Sequence, residues 1–258
     1  MAMSRFADLV VAVDGSPPAD RAVSFALALA ARAGATLGFC SVAGRGEARA
    51  RLACVHAVAR ALAHGIEACA CVACGPPAEA IVAHALAVGA HGIVVGTRAR
   101  TGERAVLGQV AAALVRLSPV PVFTVCADTA VRDGGSIVVA VDDTPAAEAA
   151  LDASLELALE RNATLHLVHV VERRTALADE QRTFAAIVDR VRAAGVAYSA
   201  ELREGDPVAE LVAAAERRTA ALIATGTHGR NAVARLILGS VAEGLVRAAP
   251  VPVMTVRA

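Results

Sequence analysis

The chain contains no lysine and no tryptophan, and only 2% of its 258 residues are aromatic. All 25 basic residues are arginine, which excludes a P-loop lysine and Schiff-base chemistry on a lysine side chain. The 25 acidic residues balance this charge, and no basic stripe with interleaved aromatic residues is present, which argues against nucleic acid as a main partner. Because 56% of the residues are hydrophobic, alanine, valine and leucine must fill the core.

Long apolar runs are also missing. Charged or polar residues interrupt every such run well before the roughly 18 residues that a membrane-spanning helix needs. Near the N-terminus, Asp8 and Asp14 bracket a very short apolar segment, so we expect no secretory signal. These observations predict a cytoplasmic location and no membrane partner.

An internal repeat divides the sequence into two similar halves. The segment Val10–Pro17 returns as Val138–Pro145, and both halves close on the sequence Pro-Val-Pro-Val. Near residues 128–135, aspartate, arginine and paired glycines interrupt the apolar pattern. A length of 258 residues suits two domains that each bury a core. We therefore predict one domain at residues 1–127 and a second at 135–258.

Each half alternates β-rich runs with helical patterns, which predicts an α/β fold. For the second half the pattern predicts five strands and four helices in the order Ile137–Val141, Ala146–Arg161, Leu165–Val171, Leu177–Ala194, Val196–Leu202, Pro207–Arg217, Ala220–Thr225, Gly239–Ala248 and Val251–Val256. Such alternation indicates a parallel sheet covered by helices on both faces. Ligands of these sheets bind outside the carboxyl ends of the strands, where Asp142 and Gly226 are expected to lie.

A glycine-rich loop follows the fourth predicted strand of the second half. Gly226 and Gly229 are separated by two residues, and nine further residues lead to Gly239 and Ser240, where a helix is predicted to begin. Glycines allow the backbone to approach an anion, and a helix N-terminus offers unpaired N–H groups and a favourable dipole. The pattern therefore predicts a phosphate cradle. The alternative is that Ser240 is only the N-cap of a capping box with Glu243.

The chain resembles the universal stress protein family in its tandem form. The resemblance rests on the repeat, on the Asp-x-Ser/Thr sequence at the strand ends, on this glycine-rich loop and on the closing Pro-Val-Pro-Val. The resemblance covers Leu9 to Val125 and Ile137 to Val256, and the second half matches the family's nucleotide signature completely. It implies two tandem, Rossmann-like domains, each with a five-stranded parallel sheet in the order 3-2-1-4-5. It also implies ATP, with Mg²⁺, at the sheet edge. The last strands of the two halves would pair as an intramolecular pseudo-dimer, and a homo-oligomer stays open.

The resemblance also implies roles for individual residues. Gly226 and Gly229 would line the phosphates, while Gly239 and Ser240 would hold them through N–H and hydroxyl groups. Asp142 would lie near the ribose or a phosphate-bound divalent ion. Val170 would offer its backbone to adenine.

The first half departs from the signature. Gly96 is followed by Ala99 where the second glycine belongs, eight residues rather than nine lead to Gly108, and Gln109 replaces Ser or Thr. We expect a Cβ at Ala99 to disfavour the loop conformation, and the missing residue to shift the register of Gly108. One competent site per chain is the prediction. The alternative is that Arg98, Arg100 and Gly102 rebuild a working first site.

Four of the six cysteines lie in the middle of the first half, at Cys54, Cys69, Cys71 and Cys74. A thiolate cluster can bind zinc, with His56 or His64 as a fourth ligand. The commoner use of free cysteine is as a small buried hydrophobe, which is our expectation here, without disulfides.

No general base stands out beside the phosphate loop, so we expect no catalytic residues. The function we predict is an ATP-binding stress or regulatory protein that acts by nucleotide-dependent signalling rather than turnover. Two alternatives stay open. One is a slow ATPase or nucleotide-handling enzyme on the same fold, and the other is a nucleotide-free interaction module with a cysteine-based metal or redox centre.

Overall fold

The computed structural model describes residues 8–31, 35–44, 46–97, 108–132, 135–171, 177–227 and 238–258, without the side chains of 177–179. It divides into two compact units, unit 1 at Met1–Asp133 and unit 2 at Gly134–Ala258. Each unit alternates five strands with four helices. The Ala99 substitution and the segment with Arg98, Arg100 and Gly102 lie outside the described residues, as do His228 and Gly229.

Unit 1 contains a parallel sheet in the strand order β3-β2-β1-β4-β5. Its elements are β1 (Asp8–Ala12), α1 (Pro17–Ala30), β2 (Thr36–Val42), α2 (Glu47–Ala63), β3 (Ala68–Ala73), α3 (Pro77–Ala87), β4 (Gly92–Thr97), α4 (Gln109–Leu117) and β5 (Val122–Cys126).

Unit 2 repeats this order as β8-β7-β6-β9-β10, again with every pair parallel. Its elements are β6 (Ser136–Ala140), α5 (Pro145–Arg161), β7 (Thr164–Val171), α6 (Leu177–Ala193), β8 (Tyr198–Glu204), α7 (Pro207–Arg217), β9 (Leu222–Gly226), α8 (Ser240–Ala248) and β10 (Val253–Val256). Counted within each unit, both orders are 3-2-1-4-5, so the predicted fold class is confirmed.

Local sequence explains where the first helix of each unit begins. Proline occupies the first helical position of α1 and α5, where its missing N–H costs nothing. The preceding Ser16 and Thr144 accept a hydrogen bond from the N–H three residues later, at 3.4 and 3.2 Å. These N-caps fix the helix starts directly after the carboxyl ends of β1 and β6.

The cores are filled largely by aliphatic side chains, as the composition predicts. Leu165, Leu167 and Ile223 are among the fully buried residues of unit 2. Unit 1 also uses the few aromatic residues of the chain, since Phe39 and Phe123 are fully buried and Phe25 contacts Phe123 at 5.8 Å between ring centroids.

Candidate nucleotide site

The carboxyl ends of the unit 2 strands border a cavity of about 130 Å³, which we call the edge cavity. Its wall includes five of the six residues predicted from the sequence: Asp142, Val170, Gly226, Gly239 and Ser240. The sixth, Gly229, lies outside the described residues. Small-molecule sites usually enclose about 300–1,000 Å³, so the edge cavity can enclose only part of a nucleotide.

The start of α8 forms one wall of the edge cavity. Gly239 is the N-cap and Ser240 is the first helical residue, and no side chain caps this helix. The capping box suggested by the sequence as the alternative role of Ser240 is therefore wrong. Helices α5 and α7 differ, because the side chains of Thr144 and Asp206 cap them at 3.2 and 2.8 Å.

The N–H groups available at this wall differ from those expected. Gly239 N–H already donates to the Thr227 carbonyl at 2.8 Å, so the predicted phosphate contact through this N–H is wrong. The first hydrogen bond within α8 runs from Glu243 N–H to the Gly239 carbonyl at 3.0 Å. Within the described parts of the chain, the three intervening N–H groups have no acceptor; they belong to Ser240, Val241 and Ala242. Three unpaired donors at a positive helix end favour an anion.

Asp142 organises the turn between β6 and α5. Its Oδ1 accepts hydrogen bonds from the Thr144 N–H at 2.8 Å and the Thr144 hydroxyl at 2.5 Å. Among the described residues, Oδ2 of this half-buried carboxylate has no hydrogen-bond partner. In unit 1, Asp14 makes the same turn with Ser16 N–H at 2.9 Å. Asp142 thus positions the helix through one oxygen and leaves the other for a ligand.

Thr144 was missed in the sequence-based site. Its hydroxyl donates to Asp142 and accepts from Ala147 N–H, so it joins the carboxylate to the first turn of α5. The signal was present in the repeat, because an aspartate is followed two residues later by Ser16 in one copy and by Thr144 in the other.

Val170 directs its backbone groups toward the edge cavity. Along a strand, successive residues bond to opposite neighbours. The Val168 carbonyl accepts from Val141 N–H at 3.1 Å on the β6 side. The Val171 carbonyl accepts from Gly205 N–H at 3.2 Å on the β8 side. Val170 therefore faces the β6 side beyond the end of β6, and its N–H and C=O have no partner within the described ranges.

Gly226 has a packing role besides lining the cavity. A Cβ on this residue would lie 2.6 Å from the carbonyl carbon of Ala146 and 2.7 Å from the nitrogen of Ala147, in the first turn of α5. Gly96 is equally constrained, since its Cβ would lie 2.3 Å from the carbonyl carbon of Pro18 in α1. Neither glycine has a positive φ, so what both positions require is space.

The start of α4 in unit 1 resembles the start of α8. Gly108 is the N-cap with φ −59° and ψ 139°, close to the −62° and 148° of Gly239, and neither helix has a side-chain cap. Gly108 thus caps its helix as Gly239 does, while the expected register shift concerns the preceding loop, whose residues 98–107 lie outside the described residues, and it stays a prediction. A difference appears instead at β2, where the Val42 carbonyl, the counterpart of Val170, accepts from Gly44 N–H at 2.8 Å.

The cysteines of unit 1 separate into two environments. Cys54 is buried behind β3, and its thiol contacts the Cys71 carbonyl at 3.6 Å. Cys69 and Cys74 are exposed, so the expectation of buried packing is wrong for them, because β3 is an outer strand. Among the described residues, no group of three or more His, Cys, Asp or Glu side chains is arranged to hold a metal ion.

A family model described as "Universal stress protein family" matches residues 6–48, 42–125 and 135–257. The chain belongs to the universal stress protein family. Universal stress protein MJ0531 of Methanocaldococcus jannaschii is 43% identical over 63 residues, 24% of this chain and 37% of that protein. Universal stress protein Rv2005c of Mycobacterium tuberculosis is 29% identical over 182 residues, 64% of this chain and 61% of that protein. The chain spans less than two thirds of both relatives.

Solved structures of the family share the fold. The crystal structure of a universal stress protein from Archaeoglobus fulgidus has a TM-score of 0.74 at 21% identity and covers 98% of each chain. A putative universal stress protein from Pseudomonas aeruginosa has a TM-score of 0.72 at 18% identity, covering 100% of this chain and 95% of that one. Among the described residues, no helix has the length and hydropathy needed to cross a membrane.

Proposed function

We propose that this universal stress protein binds an adenine nucleotide, ATP with Mg²⁺, at the edge cavity of unit 2, and acts by nucleotide-dependent signalling. The observation that carries the proposal is the uncapped start of α8, with three unpaired N–H groups at the wall of a cavity on the carboxyl edge of the sheet. A phosphate group satisfies these donors and interacts favourably with the helix dipole.

The other cavity residues suit the rest of the nucleotide. The backbone N–H and C=O of Val170 offer one donor and one acceptor, the pairing that an adenine edge requires. The unpaired Oδ2 of Asp142 can accept from a ribose hydroxyl or ligate a divalent ion, because carboxylate oxygens are preferred Mg²⁺ ligands. The phosphates would occupy the edge cavity of about 130 Å³, and the rest of the nucleotide would extend outside the cavity.

The role is proposed as binding rather than turnover. Near the edge cavity, the Asp142 carboxylate is committed through Oδ1 to the turn with Thr144. Asp142 is the one ionisable side chain among the described residues that line the edge cavity, so no second acid or base is placed there to share a proton transfer, and its role is to orient a ligand or a metal ion. A switch between nucleotide-bound and nucleotide-free states of unit 2 would then provide the signal.

Proline substitution at the first position of α8 tests the proposal. Gly239 has φ −62° and ψ 148°, a conformation that readily precedes proline, and proline is favoured at a first helical position. Ser240→Pro therefore removes one N–H and the hydroxyl without disrupting the helix, whereas Ser240→Ala removes the hydroxyl alone. We expect Ser240→Pro to weaken ATP binding about tenfold or more in calorimetric titration, since a charged hydrogen bond contributes about 1.5–3 kcal/mol.

The matched control is Gln109→Pro, at the same position of α4 after Gly108, whose φ −59° and ψ 139° are equally suited to proline. We expect this variant to bind ATP like the wild type, with a stoichiometry near one per chain. Asp142→Asn keeps the turn but removes the charge, so it should weaken ATP binding more with Mg²⁺ than without it. Unchanged binding by Ser240→Pro, or equal losses in Ser240→Pro and Gln109→Pro, would contradict the proposal.

A further inference from the structure

A cavity of about 620 Å³ lies between helices α1 and α2 of unit 1, and we call it the α1–α2 groove. Small-molecule sites usually enclose about 300–1,000 Å³, so the groove has the volume of such a site. Among the described residues, no counterpart of the edge-cavity wall of unit 2 lines it, so the groove is a separate feature of unit 1. The polar residues on its wall are Asp20, Arg21, Ser24, His56 and Arg60.

Arg21 is held in place without being neutralised. Its Nε donates a hydrogen bond to the Ala127 carbonyl, just after β5, at 3.2 Å. Within the described parts of the chain, its guanidinium forms no ion pair. The fork of remaining N–H groups matches the spacing of carboxylate or phosphate oxygens. Arg21 therefore offers the groove an oriented and uncompensated positive charge.

Arg60 brings a second positive charge from α2. Its Nη2 donates to the Ser24 hydroxyl at 2.8 Å and its Nη1 to the Asp20 carbonyl at 3.4 Å, so α1 fixes its position. Among the described residues it pairs with one carboxylate, that of Asp20, which lies 3.8 Å from Nη1 and is 73% exposed. An ion pair this long and exposed contributes little, because water screens it. One exposed carboxylate thus accompanies two guanidiniums on the wall of the groove.

Helix α2 places further basic side chains on the side that faces α1. With 3.6 residues per turn, Arg49 and His56 lie on the same side of α2 as Arg60. His56, which the sequence offered as a zinc ligand, lines the groove, and Arg49 has no ion pair within the described ranges. The exposed ion pair of Glu47 and Arg51 lies on the opposite side of the helix from Arg60, by the same spacing. The side of α2 that faces the groove is therefore basic.

The same two helices of unit 2 have the opposite charge. Helices α1 and α5 both begin with proline after a capping side chain, and α2 and α6 both have 17 residues, so their positions align without gaps. Arg190 is the counterpart of Arg60 and forms ion pairs with two carboxylates, those of Glu148 and Asp152. Each of five other differences removes an acidic group from unit 1 or adds a basic one: Arg21, Ser24, Arg49, His56 and Ala59 correspond to Ala149, Asp152, Asp179, Ala186 and Asp189.

We propose that the α1–α2 groove binds a small organic anion through a phosphate group, with Arg21 and Arg60 as its main contacts. The Ser24 hydroxyl and the His56 imidazole add donors from both helices, and all four side chains can donate to phosphate oxygens. Hydrogen bonds from guanidinium to phosphate are among the strong ones, because both partners are charged. A phosphate dianion matches the two guanidinium charges, whereas a carboxylate matches one. The proposal is independent of nucleotide binding at the edge cavity, which belongs to unit 2.

Titration of the full chain with inorganic phosphate tests the proposal. NMR of backbone amide and arginine Nε–H resonances reports which residues respond, and sodium chloride keeps the ionic strength constant. We expect shifts at Arg21, Ser24 and Arg60 that saturate with a Kd of about 1 mM, and weaker binding of acetate. The same shifts should persist in Ser240→Pro, the variant that weakens phosphate binding at the start of α8, so the two sites are measured separately.

Matched variants locate the binding. Arg21→Gln should raise the Kd for phosphate at least about fivefold, and Arg51→Gln, which removes the same charge on the opposite side of α2, should leave it unchanged. Ser24→Asp copies unit 2 and places a carboxylate beside Arg60, as Asp152 lies beside Arg190. It should bind phosphate at least about fivefold more weakly than Ser24→Asn, which has the same size and no charge.

Three results would overturn the proposal. The first is the lack of saturable shifts at Arg21, Ser24 and Arg60 with phosphate up to about 20 mM. The second is equal weakening by Arg21→Gln and Arg51→Gln, or by Ser24→Asp and Ser24→Asn. The third is a response of the wild-type chain confined to Val241 and Ala242, which would leave the edge-cavity proposal standing and remove this one.

Discussion

The glycine at the end of β9 provides a stability prediction that is separate from ligand binding. A Cβ on Gly226 would approach the Ala146 carbonyl carbon to 2.6 Å and the Ala147 nitrogen to 2.7 Å. Both atoms belong to the backbone of the first turn of α5, which is also fixed by the Thr144 cap. The turn cannot yield without displacing the helix, so we expect Gly226→Ala to destabilise unit 2.

The magnitude follows from the size of the clash. Adding a methyl group to a well-packed site costs about 1–3 kcal/mol when neighbours must shift. For a domain of this size, that loss lowers Tm by roughly 4–12 °C. We expect at least the same from Gly96→Ala in unit 1, because its Cβ would lie only 2.3 Å from both the carbonyl carbon and the oxygen of Pro18.

Thermal unfolding of the full chain, followed by circular dichroism without nucleotide, measures the effect. The control is Gly44→Ala, because Gly44 is exposed and caps no helix, a Cβ there meets nothing within 4 Å, and its φ is not positive. This variant should unfold within about 0.5 kcal/mol of the wild type, as exposed substitutions commonly do.

A particular pattern of results would refute the packing role. If Gly226→Ala kept the wild-type Tm and lost only ATP affinity, the glycine would be required for ligand binding rather than for packing. The contact between the added Cβ and α5 would then not lower the free energy of unfolding. Equal destabilisation of Gly44→Ala would likewise show that an added methyl group lowers the stability without the clash with α5.

Two further predictions concern titratable groups. The hydrogen bond from Arg218, with the neighbouring Arg203, lowers the pKa of Glu201 from its usual 4.5 to about 2. This stabilisation is present above the unfolded-state pKa of Glu201 and is lost as the pH falls toward 2. In urea unfolding, the wild type should therefore be more stable than Glu201→Gln at pH 5, and this difference should shrink between about pH 5 and pH 2. A difference that stays constant over this range would contradict the prediction. Burial raises the pKa of the Cys40 thiol to about 12 and also raises the pKa of the Cys54 thiol. At pH 8, a thiol reagent should therefore modify the exposed Cys69 and Cys74 rapidly. The same reagent should modify the two buried thiols only after the protein unfolds. Peptide mapping would identify the modified residues, and rapid labelling of Cys40 would contradict the assignment.

The fold was predictable because two independent patterns agree. Hydrophobic periodicity separates strands from helices, and the repeat supplies every element twice. Helix starts are determined by local chemistry, a capping side chain followed by proline: the start at Pro207 was predicted to the residue, and α5 begins at Pro145, one residue before the predicted Ala146. The exposure of Cys69 does not follow from the residues of β3 themselves, which suit a buried strand; it follows from the order 3-2-1-4-5, which places the third strand at the edge of the sheet.

The grouping of the candidate residues was more predictable than their individual contacts. The structure brings Gly226, Gly239 and Ser240 of the predicted loop to the wall of one cavity, and whether they bind a nucleotide stays a prediction. The spacing of these residues could not reveal that Gly239 N–H is already bonded to Thr227, since this contact joins two ends of a loop. Similarly, the sequence offered Ser240 as a cap, and only the backbone angles make Gly239 the cap and leave the next three N–H groups unpaired.

The close approach of the first helix to the fourth strand bears on how duplicated domains diverge. Gly96 and Gly226 are constrained by the same backbone contact, so a copy that stops binding nucleotide still cannot replace this glycine without losing stability. Changes that spare this contact can instead occur at the helix start, where Gln109 occupies the sequence position equivalent to that of Ser240. The first glycine of the signature therefore indicates a common origin of the two domains and an intact fold, and its presence does not indicate whether a given domain binds a ligand.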